Sequence, residues 1–324
     1  MDGEVNLTEP LGCERLLGGD VLERLATLEP ESCSLAVSSP PYNIRKPYER
    51  NDNRTYDEYV EWQRSVVRAM APALTSDASV CWQVGSYVAD GEVFPLDVPF
   101  ISIFRELGFR LRNRIIWRYN FGYNADKRFS GRYETVLWFT RSDTYTFNLD
   151  PVRVRQLYPG KRHKMAKGAK GGTPSGNPLG KNPSDYWEFS AQEDFKNSPV
   201  WDVPNVKANH LEYTDHPCQF PVELAERCVL ALSNSGDTVL DPFIGTGATA
   251  IAAVMHRRHA IGIDRHQPYL DIAADRLLQL RAGTLPLRPL GMPVRRPKDT
   301  ERVARIPDEW LGHPRTFGGK RGEG

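Results

Sequence analysis

The feature that most constrains the fold of this chain is a repeated pattern of short apolar runs. Each run ends in a small or acidic residue and is followed by a stretch with the pattern of a helix. Four such runs lie at residues 14–19, 33–38, 238–240 and 259–263. The polar residues that follow them are Asp20, Ser39, Asp241 and Asp264. Because buried strands that alternate with helices assemble into a parallel sheet covered on both faces, the pattern predicts a doubly wound, mainly parallel α/β fold.

Further elements complete this predicted sheet. Apolar runs of strand length occur at residues 79–84, 115–119 and 135–140, and helices are predicted at residues 21–28, 248–256 and 268–280. Ligands of doubly wound sheets bind beyond the carboxyl ends of the strands. We therefore expect the functional site where the four polar residues end their strands.

The middle of the chain interrupts the alternation, which indicates an insertion. The sequence divides into an N-terminal catalytic part at residues 1–150, an insertion at 151–209, a C-terminal catalytic part at 210–282 and a loosely ordered tail at 283–324, which is rich in Pro, Arg and Gly. Residues 151–184 carry eight Lys or Arg and no Asp or Glu. This basic stretch is either a solvated, flexible loop or a segment that binds phosphates by displacing their counterions.

The basic side chains of this stretch are the candidates for contacts to nucleic acid. They are Arg153, Arg155, Lys161, Arg162, Lys164, Lys167 and Lys170, with Lys181 further along. The formal net charge of the whole chain is only +1, so an attraction to a polyanion has to come from such a local cluster.

Composition excludes several other classes of protein. The five cysteines are scattered and form no C-x-x-C pair, which favours a reducing cytoplasm and argues against a disulfide framework and a zinc site. No apolar run approaches the roughly 18 residues of a membrane helix, and the acidic N-terminus is unlike a signal peptide. We therefore expect a cytoplasmic protein with neither a metal site nor a membrane segment.

A glycine-rich segment follows the third strand of the pattern. Gly245, Gly247 and Ala250 match the dinucleotide pattern G-x-G-x-x-G/A. Asp264 follows 19 residues after Gly245, near the spacing of an acid that binds ribose hydroxyls. No Gly-Lys-Ser/Thr follows, so a phosphate loop is not favoured. The segment predicts an adenosine-containing cofactor, and a nicotinamide-dependent oxidoreductase is one interpretation of it.

A second motif, Ser39-Pro40-Pro41-Tyr42, ends the second strand, where adjacent prolines impose a rigid, extended backbone. On its own this motif is compatible with a plain turn. Together with the segment Asp241-Pro242-Phe243-Ile244-Gly245-Thr246-Gly247, it resembles the amino-methylating DNA methyltransferases, which methylate cytosine N4 or adenine N6. The resemblance runs from about Leu16 to Leu280. Further matching stretches are residues 132–140, 200–203 and 216–221.

The order of the motifs, catalytic first and cofactor loop last, resembles the circularly permuted beta group of this family. The resemblance implies a Rossmann-like methyltransferase sheet in which the strand ending at Asp20 lies beside the strand ending at Asp264. It also implies that the insertion, with its basic stretch, is the target-recognition region.

The resemblance further implies S-adenosyl-L-methionine as the cofactor. Its expected binding residues are Asp20, Asp241, Pro242, Phe243, Gly245, Gly247 and Asp264. Among them, Asp241 would bind the ammonium group, Asp264 the ribose hydroxyls and Asp20 the adenine amino group.

The expected catalytic residues are Ser39, Pro40, Pro41 and Tyr42. Ser39 Oγ and the Pro40 carbonyl would accept hydrogen bonds from the target amine, and Tyr42 would stack on the flipped base. Serine at position 39 is associated in this family with cytosine N4, so this product is expected, with adenine N6 as the alternative. The implied partners are double-stranded DNA, at the nucleoid of a prokaryotic cytoplasm, and a cognate restriction endonuclease. Monomer and homodimer both remain open.

Two other interpretations compete with this one. Pro217-Cys218-Gln219 matches the nucleophile motif of cytosine C5 methyltransferases, but it precedes the cofactor loop and no Glu-Asn-Val motif occurs. Cys218 is therefore expected to be a packed small residue. A DNA-binding protein that keeps the fold without catalysis is the other interpretation, and the intact cofactor residues argue against it.

Overall fold

The computed structural model describes residues 11–44, 46, 49, 52, 54–89, 91–119, 125–154, 156, 158–165, 168–187, 206 and 210–291. Two candidate DNA-binding residues, Arg155 and Lys167, lie outside this described part. The matching stretch at residues 200–203 and the tail from residue 292 onward lie outside it as well. No helix in the described part is both long and apolar enough to cross a membrane.

Within the described residues, eight strands form one large sheet, and two more form a separate hairpin. In chain order they are β1 (Glu14–Gly18), β2 (Cys33–Ser38), β3 (Leu74–Val84), β4 (Ser86–Ala89), β5 (Glu92–Pro95), β6 (Arg110–Arg118), β7 (Tyr133–Thr140), β8 (Tyr186–Trp187), β9 (Thr238–Asp241) and β10 (His259–Asp264). The large sheet has the order β1-β10-β9-β2-β3-β7-β6-β8, and β4 pairs with β5.

The large sheet is mainly parallel, as predicted. Strand β7 runs antiparallel to its neighbours β3 and β6, whereas the other described pairs of this sheet are parallel. The predicted neighbourhood of the first and last strands is also confirmed, because β1 pairs with β10 and Gly18 lies opposite Asp264. Asp20 and Asp264 thereby reach the same edge of the sheet from opposite ends of the chain.

Helices cover both faces of this sheet. In the described part they are α1 (Val21–Leu25), α2 (Tyr56–Met70), α3 (Asp97–Glu106), α4 (Val222–Leu232), α5 (Ala248–Met255) and α6 (Gln267–Arg281). Apolar residues of α1, α2 and α3 belong to one core cluster, and those of α4, α5 and α6 belong to the other. Strand β2 separates them, since Leu35 and Val37 face the second cluster while Ala36 faces the first. The predicted doubly wound arrangement is therefore present.

Some boundaries differ from the predicted ones. Strand β6 begins at Arg110 rather than at residue 115, because its polar first half pairs with β7 and its side chains form ion pairs. Arg110 and Arg112 both pair there with Asp143. Strand β3 likewise begins at Leu74, before the apolar run that predicted it. Charged or polar strand segments of this kind carry no apolar signal in the sequence.

The insertion and the described beginning of the tail each contain packed residues. In the insertion, Val152, Val154 and Trp187 are buried in the core, and β8 extends the sheet beside β6. In the tail, the buried Arg288 pairs with Glu223 of α4. At the described beginning of the tail, this ion pair holds Arg288, while most of its neighbours up to residue 291 are exposed. A few apolar or charged anchors are enough to hold a chain rich in Gly and Pro.

Candidate active site

A cavity of about 830 Å³ lies beside the carboxyl ends of β1, β2, β9 and β10. Nine of the eleven expected catalytic and cofactor-binding residues line it, namely Asp20, Ser39, Pro40, Pro41, Tyr42, Pro242, Phe243, Gly245 and Asp264. The expected catalytic and cofactor-binding motifs therefore face one common space, although the insertion separates them in sequence.

The glycine segment between β9 and α5 forms a tight loop against β10. Ile244 N donates to Ile263 O at 2.8 Å, and Gly247 N donates to Ile244 O at 2.9 Å. Gly247 has a φ of +85°, and a Cβ there would lie 2.9 Å from Ala273 Cβ. This position therefore requires glycine. Gly247 supports the loop from behind and is not among the residues that line the cavity.

Asp264 ties the glycine loop to the end of β10. Its Oδ2 accepts from Gly245 N at 3.0 Å, and its Oδ1 accepts from His266 N at 2.8 Å. Burial raises the pKa of this carboxyl, although the two backbone N–H groups oppose the rise. Each carboxylate oxygen can accept a second hydrogen bond. Asp264 can therefore bind two hydroxyl groups of a ligand while it supports the loop.

Asp241, at the end of β9, lies behind the loop and is not among the residues that line the cavity. Its Oδ1 accepts from Ser38 Oγ at 2.5 Å and from Phe243 N at 3.0 Å. The residue is 1% exposed, and burial raises the pKa of its carboxyl to about 6. This placement favours a role in joining β2 to the glycine loop over the expected direct contact to an ammonium group.

Asp20 follows β1 at the cavity wall and begins α1. Its Oδ1 accepts from Leu22 N at 2.9 Å and from Glu23 N at 3.4 Å, which makes it the N-cap of the helix. The residue is exposed. The cap orients the carboxylate, and its Oδ2 can accept a hydrogen bond from an amino group of a ligand.

A histidine packs against the glycine loop. A Cβ on Gly245 would lie 3.5 Å from His216 Nε2, and the rings of His216 and Tyr269 meet edge to face with centroids 4.5 Å apart. Burial, with a smaller effect of His266, lowers the pKa of His216 to about 4. The imidazole is therefore neutral at physiological pH. The sequence marks His216 only as the start of a matching stretch.

The Ser-Pro-Pro-Tyr motif is held in place by α2. Tyr59 Oη donates to the Pro41 carbonyl at 2.8 Å, and Gln63 Nε2 donates to it at 3.5 Å. Both side chains are buried. The helix itself starts with a capping box, in which Thr55 N donates to Glu58 Oε2 at 2.8 Å. Rigid prolines and buried partners thus present Ser39 and Tyr42 to the cavity.

Ser39 and Tyr42 share a hydrogen-bonded network with Glu134. Ser39 Oγ lies 3.4 Å from Tyr42 Oη, which donates to Glu134 Oε2 at 3.3 Å. Tyr119 Oη donates to Glu134 Oε1 at 3.3 Å, and Gln83 Nε2 donates to Oε2. Burial, together with Glu134, raises the pKa of Tyr119, which therefore stays protonated. The network connects the catalytic motif to β3, to β7 and to Tyr119, which directly follows β6.

Sequence reasoning missed Gln83, Tyr119 and Glu134. One feature of the sequence could have pointed to Glu134, because it lies in the stretch at residues 132–140 that resembles the family. For Cys218, the expectation of a packed residue is wrong, since the thiol is exposed and the residue lines the cavity. It lies in a tight turn, where Cys218 N donates to His216 Nδ1 at 3.2 Å.

The described basic residues between Arg153 and Lys170 fall into two groups. Arg153 Nη1 donates to Gly180 O at 3.0 Å, and Arg162 Nη1 donates to Gly172 O at 2.7 Å, so both arginines brace the insertion internally. The other group consists of exposed lysines, which are Lys161, Lys164 and Lys170. These lysines and the exposed Arg162 are better placed than Arg153 to reach phosphates.

Comparisons with known proteins identify the family. The sequence matches the family described as DNA methylase, N6_N4_Mtase, over residues 33–275. It is 44% identical to the type II methyltransferase M.BglII of Bacillus subtilis, over 80% of this chain and 67% of that protein. It is 30% identical to the DNA adenine methyltransferase YhdJ of Escherichia coli (strain K12), over 81% of this chain and 82% of that protein.

The fold is similar to that of TTHA0409 from Thermus thermophilus, solved in complex with S-adenosyl-L-methionine. The TM-score is 0.55 at 26% identity, and the match covers 84% of this chain and 97% of that chain. The family match spans both the Ser-Pro-Pro-Tyr motif and the glycine loop that meet at the cavity. This chain therefore belongs to the N6/N4 family of DNA methylases, and its cofactor is S-adenosyl-L-methionine.

Proposed function

We propose that this DNA methyltransferase methylates N4 of cytosine in double-stranded DNA, after the base has been flipped into the cavity. The observation that carries the proposal is the place of Ser39, which lines the cavity beside Tyr42 and shares it with the glycine loop. In the family that this chain resembles, serine at this position is associated with methylation of cytosine N4.

The cavity wall has the chemistry that S-adenosyl-L-methionine requires. Asp264 offers acceptors for the ribose hydroxyls, Asp20 offers one for the adenine amino group, and Phe243 offers an apolar surface. When bound, the cofactor supplies an electrophilic methyl group on its sulfonium. Because His216 is neutral, it adds no second positive charge beside the loop.

The residues of the catalytic motif act on a poor nucleophile. An exocyclic amine delocalises its lone pair into the ring and resists attack in the plane of the base. Ser39 Oγ and the Pro40 carbonyl accept hydrogen bonds from its two N–H groups, and these bonds strengthen as the nitrogen becomes tetrahedral. They therefore stabilise the transition state more than the ground state. Tyr42 stacks on the extruded base.

The insertion supplies the contacts to DNA. Its exposed lysines bind phosphates and position the duplex, while groups that reach base edges select the sequence. At the cavity wall, Arg128 adds a cation and Phe129, which is 99% exposed, adds an aromatic ring where the duplex approaches. The similarity to a type II methyltransferase supports a cognate restriction endonuclease that reads the same sequence.

Adenine N6 is the second candidate for the methylated position. The similarity to YhdJ, which is named a DNA adenine methyltransferase, favours it. A serine hydroxyl can accept a hydrogen bond from either amine, so the experiment has to distinguish the two products.

The test is the identity of the methylated nucleoside in DNA from cells that express the chain. Digestion to nucleosides and mass spectrometry are expected to detect N4-methylcytosine, and base-resolved mapping is expected to place it in one sequence context. Ser39→Ala is the matched control, because it removes the amine acceptor and leaves Asp264 and the glycine loop unchanged. N6-methyladenine as the sole product would refute the cytosine assignment.

A further inference from the structure

Glu134 reaches the cavity because of the direction of its strand. It is the second residue of β7, and because β7 is antiparallel to β3 and β6, its first residues lie at the carboxyl edge of the sheet. Gln83, near the end of β3, donates to the same carboxylate. A Cβ on Gly85 would lie 3.0 Å from Tyr42 Cε2 and 3.3 Å from Glu134 Cγ, so glycine there leaves room for their contact.

The charge of Glu134 sets the direction of the hydrogen bonds that lead to the catalytic motif. A carboxylate only accepts, so Tyr42 Oη is the donor in its 3.3 Å bond to Glu134 Oε2. A hydroxyl has one proton, so Tyr42 Oη can meet Ser39 Oγ, 3.4 Å away, only as an acceptor. Ser39 then turns its own proton toward Tyr42. Its lone pairs are left to accept a bond from another group.

We propose that Glu134 is a positioning residue, which acts through Tyr42 to orient Ser39 as the acceptor for the target amino group. This inference rests on the proposed function, in which Ser39 binds that amine. Without the carboxylate, the Ser39 hydroxyl is free to rotate and present its proton to an N–H group, which is a contact between two donors. The negative charge also polarises the chain of hydroxyls and makes Ser39 a stronger acceptor.

The arrangement explains how a serine can accept the hydrogen bond from the target amine, although a carboxylate is the stronger acceptor. A neutral hydroxyl accepts hydrogen bonds less strongly than a charged oxygen does. Here the negative charge lies on Glu134. It acts on the amine through the hydroxyl groups of Tyr42 and Ser39. Tyr42 accordingly has two roles, since its ring faces the base and its hydroxyl transmits the orientation.

The test compares single-turnover methylation rates of the full-length enzyme, with saturating cofactor and a duplex that contains the methylated site. The variants are Glu134→Gln, Tyr42→Phe and the double variant. Glutamine keeps the size of the side chain, but its amide can donate to Tyr42, so the direction of the chain is no longer imposed. Phenylalanine keeps the stacking ring and removes the link. Glu29→Gln, on an exposed residue between α1 and β2, is the matched control.

Each single variant is expected to slow methyl transfer by about tenfold or more, as is usual for loss of a hydrogen bond to a charged group. The double variant is expected to be no slower than the slower single variant, because both changes interrupt the same chain. Binding of S-adenosyl-L-methionine is expected to stay at the wild-type level. Glu134→Asp, which retains a group that only accepts, is expected to recover part of the rate.

A wild-type rate in Glu134→Gln, or slowing that multiplies in the double variant, would overturn the inference. If Glu134→Gln does not fold, Tyr42→Phe still tests the inference, because a wild-type rate in Tyr42→Phe would also overturn it. The proposed base is tested separately by the product of the wild-type enzyme. An adenine product would refute cytosine N4 and leave the comparison of rates intact, so the two failures are distinguishable.

Discussion

Replacing Asp241 with asparagine should make the protein more stable at neutral and alkaline pH. The carboxyl is fully buried between β2 and the glycine loop, and burial raises its pKa to about 6. Asparagine has nearly the same shape and keeps an oxygen for the bonds from Ser38 and Phe243. Its amide group takes the place of Oδ2, a buried atom with no hydrogen-bond partner among the described residues, and can donate to the neighbouring Thr249 hydroxyl. The variant therefore removes a buried charge and retains the local contacts.

The size of this stability difference follows from the pKa of the carboxyl in the folded protein and in the unfolded chain. A folded-state pKa of about 6 lies above the ordinary value of 3.8, so the folded protein holds this proton more tightly than the unfolded chain does. The corresponding stability is present in full below the ordinary value and is lost as the pH rises through about 6. With about 1.4 kcal/mol per unit, the loss reaches about 3 kcal/mol.

Urea denaturation of wild type and Asp241→Asn at several pH values measures this difference. The variant should be more stable by up to about 3 kcal/mol at pH 8, and the advantage should shrink to about half at pH 5. Binding of S-adenosyl-L-methionine should change little, since the side chain lies behind the loop. A stability difference that does not depend on pH would refute the reasoning. Loss of cofactor binding in a stably folded variant would instead restore Asp241 as a direct ligand.

Other expectations concern the cofactor and DNA. Asp264→Ala should weaken S-adenosyl-L-methionine binding in calorimetry, whereas Tyr42→Ala should bind it normally and lose turnover; equal losses would contradict this division. Replacing three exposed lysines with alanine should weaken DNA binding and flatten its log–log salt dependence by about one unit per lost contact. An unchanged slope would mean that other residues bind the DNA. Arg153→Ala, which removes a hydrogen bond inside the insertion, should instead lower the melting temperature. The lysines are Lys161, Lys164 and Lys170.

The positions of the main strand ends could be predicted because they depend on local patterns. Four apolar runs with polar ends correctly indicated β1, β2, β9 and β10, and the glycine pattern indicated the loop before α5. The family resemblance added that β1 and β10 are neighbours, which periodicity alone does not reveal. Strand segments without an apolar signal, such as the first half of β6, were missed because pairing with a distant strand and ion pairs hold them.

Individual side chains were harder to predict than elements. Asp241 belongs to the cofactor motif, yet its carboxylate faces Ser38, because the loop turns away immediately after β9. Glu134 lies near the beginning of a strand, whereas the site was expected where strands end. Arg153 and Arg162 count as basic residues in the composition, but backbone carbonyls engage both. Side-chain direction depends on the turns and neighbours around a residue.

The sequence by itself determined the class of fold and the two motifs, because each depends on residues that are close together in the chain, and the family resemblance of the two motifs taken together indicated the cofactor. Only the tertiary structure decided which acids face the cavity and which support it from behind. It also placed Glu134 beside Tyr42, since the antiparallel β7 brings the beginning of one strand to the edge where the others end. Such a contact depends on strand order and direction across the sheet, and no local pattern of residues encodes it.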